Sequence, residues 1–172
     1  MKKKKEQRLL PNCLTLGILS LLILPTIALA WGTLSLLTWD LVDSGKHMDY
    51  KNNSQYAVTS GIAKWNNYKS GVIRPDAWNT INDVTYSDVT SLGTDIVGQT
   101  SSNGTIKFAT QYMNNYGTNP RLNVIIHETG HPLRLGHRDE TDSVMLPYVT
   151  SITTLSRGDK LNYDHAYDYY YW

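Results

Sequence analysis

The 172-residue chain contains one cysteine and one phenylalanine. A lone cysteine, Cys13, excludes any intrachain disulfide, so the fold must stand on its packed core and on any ion it binds. Charge is also sparse, at 18% of residues, and the formal net charge is only +1. Much of the basic side is gathered at one end. Lys2, Lys3, Lys4, Lys5 and Arg8 precede an apolar run over residues 13–29, and Ala28-Leu29-Ala30 has the small-x-small spacing of a signal-peptidase site. Residues 1–30 are therefore expected to be a signal peptide, and the mature protein to be secreted. The alternative is an uncleaved N-terminal membrane anchor, because residues 13–31 are just long enough to span a bilayer. The leader holds five of the 16 basic residues and one of the 15 acidic ones, which leaves 11 against 14 and a mature net charge of −3. Nothing then argues for nucleic-acid binding. Once cleaved, the protein should have no stable membrane association.

Residues 31–172 fit one domain with an adequate core. No repeat or long linker interrupts them. Ser54 is expected to cap a helix reaching about Tyr68, with Ala57, Ile62, Ala63 and Trp65 on its apolar face. Short strands are expected at 84–86, 95–97 and 105–108, with turns at 101–104 and 114–119. Asn119-Pro120 reads as the cap and first residue of a buried helix carrying Leu122, Val124, Ile125 and Ile126. Ser156 and Asp159 form a capping box for a C-terminal helix. The Tyr- and Trp-rich tail after Tyr163 reads as an aromatic flap. One helix, then strands, then two helices predicts an α+β domain.

The chemistry is concentrated in His127-Glu128-Thr129-Gly130-His131. Histidines four apart on a helix share a face and can reach one ion, and neutral imidazole suits zinc. Glu128, beside the first ligand, can serve as general base toward a zinc-activated water during attack on a peptide carbonyl. His137 would lie about 9 Å beyond His131 on a continuous helix, so a third ligand there requires the chain to turn back. Gly136, just before it, can supply the backbone angles for such a turn.

Residues 127–137 resemble the long zinc signature of the metzincins, and Ser143-Val144-Met145-Leu146-Pro147 resembles their methionine turn. Pro147, two residues after Met145, is similar to the matrixin, or matrix-metalloprotease, branch. The resemblance implies a twisted mixed sheet backed by helices, with a zinc cleft, a Met-turn at Met145 and a C-terminal helix. It implies one catalytic Zn2+ on His127, His131 and His137. It also implies an extended peptide paired along strand 105–108 as the sheet edge, and a substrate pocket at Pro147, Tyr148 and Val149. Ca2+ or a second zinc is common in the family. No ligands can be assigned to either, and His47 and His165 read better as surface residues. A monomer is expected.

Two residues depart from the signature. Arg134 stands where the family has glycine, in a turn where another residue costs about 1–3 kcal/mol. Pro132 follows His131 and is expected to oppose its helical conformation. Either Gly136 takes over the turn, or the site is impaired. Reverting both residues is expected to raise activity. The function expected is a secreted zinc endopeptidase. The alternatives are a zinc-holding pseudo-peptidase that binds peptides without cutting them, and a secreted aromatic-rich binding module.

Overall fold

A computed structural model describes residues 33–170. The expected leader and its cleavage site lie outside them. Among the described residues no helix is long and apolar enough to cross a membrane. The chain runs β1 (Met48–Asn52), α1 (Val58–Asn66), β2 (Ile73–Pro75), β3 (Val84–Val89), β4 (Gly98–Thr100), β5 (Thr105–Ala109), α2 (Thr110–Met113), α3 (Thr118–Gly130), a 3-10 turn (His131–Leu133) and α4 (Arg157–Tyr169). One sheet holds the strands in the order β2-β1-β3-β5-β4. Its first four strands are parallel, and β4 runs antiparallel to β5. The expected α+β architecture with a mixed sheet is therefore the one found.

Alternation sets which face of the sheet is buried. Val84 and Tyr86 of β3 and Ile106 and Phe108 of β5 are fully buried, with half-buried polar residues between them. The Tyr86 ring stacks on Phe108, and its hydroxyl reaches Thr129 of α3 at 3.1 Å. The helices meet closely: a Cβ on Gly61 of α1 would fall 2.5 Å from Ile125 of α3. Trp65 donates its indole N–H to the Ile126 carbonyl at 3.0 Å, and Tyr163 of α4 meets the same indole edge-on. Burying Trp65 among three helices fixes α3 on the sheet, and α3 is the element that carries the histidines.

Several expected details change. Ser54 does not cap α1. Its hydroxyl donates to Asp88 on β3 at 2.6 Å, and the helix starts four residues later. Ile62 and Trp65 face the core, whereas Ala57 and Ala63 are exposed. Residues 95–97 form no strand, because Asp95 takes a left-handed φ of 61° and pairing starts only at Gly98. Gly117, not Asn119, precedes α3, so Pro120 is its third residue, still in the first turn where no N–H is needed. The aromatic tail is helical as far as Tyr169, within α4, and Tyr163 and Tyr170 are buried in the core. The capping box of Ser156 and Asp159 is present as expected. Strand 105–108 is not the sheet edge: β5 lies between β3 and β4, and the edge is β4.

Candidate metal centre and cleft

His127 and His131 lie one turn apart at the end of α3, with their Nε2 atoms 3.2 Å apart. His127 Nδ1 is 3.1 Å from the Val144 carbonyl, and His131 Nδ1 is 2.8 Å from the Leu135 carbonyl. A carbonyl only accepts, so both Nδ1 atoms carry the ring proton in the neutral imidazoles. Both Nε2 lone pairs then converge on one point. Two nitrogens of a tetrahedral zinc, each at about 2.0–2.1 Å, stand about 3.3 Å apart, so the donor set fits this ion. His137 completes a group whose ligand atoms all lie within 4.8 Å of one another. Burial pushes the His127 pKa down to about 3 and that of His131 down to about 4, which keeps both imidazoles neutral, as ligands must be. Among the described residues this is the group of His, Cys, Asp or Glu arranged to hold a metal, and neither His47 nor His165 belongs to it. Calcium has no support there.

The chain doubles back where the signature requires it, but by another route than expected. His131 keeps helical angles (φ −62°, ψ −48°), because α3 passes directly into the 3-10 turn with Pro132 in its first positions. Arg134 itself takes the left-handed conformation, at φ 76° and ψ 7°. Its Nε donates to the Leu37 carbonyl at 3.1 Å, and its guanidinium lies 4.4 Å over the Tyr169 ring. Gly136 does not make the turn. It admits a neighbour, since a Cβ there would fall 2.6 Å from Ser35 Oγ. Residues 35–41 form a strap along this loop. Leu37 N donates to Arg134 O, Leu41 N to Pro132 O, Gly136 N to Ser35 O, and Ser35 Oγ to His137 O.

The methionine turn passes beneath the end of α3. Met145 is fully buried, and a Cβ on Gly130 would fall 2.5 Å from its Sδ. Asp159 anchors this turn. Its carboxylate accepts from Ser143 Oγ, from Val144 N at 3.1 Å and from Ser156 N at 2.8 Å. The Val144 carbonyl in turn accepts from His127, so a carboxylate on α4 supports a histidine on α3 through the backbone of one residue. The sequence showed Asp159 only as a capping residue.

Glu128 is 6% exposed, and burial raises its pKa to about 7, opposed by a hydrogen bond from Thr100. Thr100 Oγ1 lies 2.6 Å from Glu128 Oε2. Gly98, two residues earlier on β4, leaves room for the carboxylate, because a Cβ there would be 2.5 Å from Oε1. Neither β4 residue carries a sequence signal, because the pattern points to a strand at 95–97, three residues before the one found. His127, Glu128 and His137 open on a cleft of about 600 Å³, walled by Pro147, Tyr148 and Val149 and by the unforeseen Tyr112, Tyr116 and Asn123. A family model described as matrixin matches residues 82–168, from the turn before β3 into α4. No curated protein matches the chain.

Proposed function

The chain belongs to the matrixin family, and on that premise we propose that it is a secreted zinc-dependent endopeptidase acting on extended peptides. The observation that carries the reading is the pair of Nε2 acceptors 3.2 Å apart, with both Nδ1 protons committed to backbone carbonyls. Two facing lone pairs call for a cation between them. His127, His131 and His137 would hold the zinc. When bound, zinc acidifies a water and polarises the scissile carbonyl.

The remaining work falls to the protein. Thr100 holds Oε2 of Glu128, which leaves Oε1 to take the proton of the attacking water and pass it to the departing amine. A carboxylate with a pKa near 7 is matched to that exchange at neutral pH. The free edge of β4 offers backbone groups for an extended peptide, beside the wall of Pro147, Tyr148 and Val149. Arg134 and Pro132 are accommodated in the turn, which favours a working enzyme over an impaired one. The basic leader with its Ala-x-Ala site supports secretion.

The test is digestion of an unfolded protein by the purified mature chain. Cleavage should stop with a chelator and return with zinc. Glu128→Ala should keep its zinc and lose about 10²–10⁴ in rate. A fully zinc-loaded wild type that cuts nothing would refute the reading.

A further inference from the structure

Pro132 has a consequence inside α3. In an unbroken α-helix the N–H of residue 132 would bond the carbonyl of residue 128. Proline has no N–H, so the Glu128 carbonyl loses its helical donor. Thr100 Oγ1 stands 3.0 Å from that oxygen and 2.6 Å from Oε2 of the same residue. One hydroxyl thus faces both the backbone and the carboxylate of Glu128. A hydroxyl has a single proton. The charged acceptor at the shorter distance takes it, and the carbonyl is the weaker partner. No other protein donor reaches this carboxylate among the described residues. Gly98 shares a face of β4 with Thr100 and seats Oε1 against its Cα. The base is thus gripped from one strand, by a missing side chain at 98 and a hydroxyl at 100.

We propose that Thr100 is a positioning residue, which clasps Glu128 by its carboxylate and by the carbonyl that Pro132 leaves free. The proposal rests on the peptidase reading above. It gives the edge strand a second duty. A peptide added to β4 lies on the strand that aims the base, so binding and alignment share one element.

The experiment compares Thr100→Val, Thr100→Ser, Pro132→Ala and the double variant Thr100→Val/Pro132→Ala, all zinc-loaded. Thr100→Val keeps the shape and loses the proton. Its kcat on a quenched peptide should fall on the order of 10–100-fold, the scale of a misplaced catalytic group. KM should stay within about twofold, because substrate binding is untouched. Thr100→Ser should restore kcat. Alanine at 132 returns an N–H to the carbonyl. The double variant should therefore regain part of the thermal midpoint lost in Thr100→Val while its kcat stays low. A purely structural tether predicts that kcat returns together with the midpoint, and that result would overturn the proposal. So would a wild-type kcat in Thr100→Val. An infrared readout needs no activity. The Glu128 carboxylate stretch, assigned by its loss in Glu128→Gln, should shift in Thr100→Val and return in Thr100→Ser. An inactive wild type would sink the peptidase reading, whereas an unmoved stretch would sink the clasp.

Discussion

Arg134 offers a quantitative test of how the metal turn is held. Its left-handed backbone costs about 1–2 kcal/mol relative to glycine. Opposing that are a hydrogen bond from its charged Nε to the Leu37 carbonyl and a guanidinium placed over Tyr169. The first is worth about 1.5 kcal/mol and the second about 0.5–1 kcal/mol. The ion pair with Asp40, at 4.0 Å, adds little. Arg134→Gly relieves the strain, loses the contacts and adds about 0.5–1 kcal/mol of chain entropy to the unfolded state. The net expectation is a loss of about 1 kcal/mol, not the gain that the family pattern suggests. Arg134→Ala keeps most of the strain and loses the same contacts, so it should lose about 2 kcal/mol. The stability order is then Arg, Gly, Ala, read by urea unfolding of the zinc-loaded proteins. Zinc affinity, measured against a competing chelator, should follow the same order. A glycine variant more stable than wild type would show that the Leu37 and Tyr169 contacts carry no weight. A glycine variant less stable than the alanine variant would show that the backbone is unstrained.

Other expectations follow from the same geometry. Metal analysis should find one zinc in the wild type and none in His131→Ala; full occupancy in that variant would mean that the ligands are misassigned. Asp159→Ala leaves three donors in the interior unpaired and should cost on the order of 3 kcal/mol or more. It should also weaken zinc binding through His127, although Asp159 is no ligand, and unchanged affinity would refute that link. The metal-free protein should lose stability in acid. As pH falls below about 6.5 the unfolded chain protonates both histidines, while the fold holds them neutral to about 4 and about 3. Glu128 acts in the opposite sense. Its raised pKa of about 7 makes the fold bind a proton first, which stabilises as pH falls from about 7 to 4.5. Two histidines with larger or equal shifts outweigh one glutamate, so the urea midpoint should be lower at pH 5 than at pH 7. Replacing both histidines with glutamine should abolish that fall.

The zinc signature and the Met-turn were legible because a metal site constrains residue type and spacing together. The third histidine at 137 is useful only if the chain turns back, and the sequence shows that requirement without showing who meets it. Glycine at 136 looked like the natural candidate. The turn falls on Arg134 because residues 35–41, remote in sequence, hold its side chain and its carbonyl. Similarly, β1 and β2 carry no strong periodic pattern and exist as strands because the sheet completes them. Gly98 and Thr100 were invisible because their meaning depends on register. A strand placed at 95–97 puts neither residue against Glu128. Asp159 was legible as a cap, a local role, and not as the support of a turn 15 residues earlier.

The strap sets an order of assembly. Ser35 bonds to a carbonyl 102 residues away, and Leu37 and Leu41 reach nearly as far. Contacts this distant in sequence close large loops and tend to form after local ones. Synthesis delivers the strap first and its groove nearly a hundred residues later. Helix α3 can present two imidazoles as soon as it forms, but the third waits on a turn that residues 35–41 hold. Loading of the ion would therefore coincide with the docking of residues 35–41 on this turn, as a late event. The reverse path runs through the same joint. Peeling back residues 35–41 would free His137 while the sheet stays paired, so the ion would depart before the fold does.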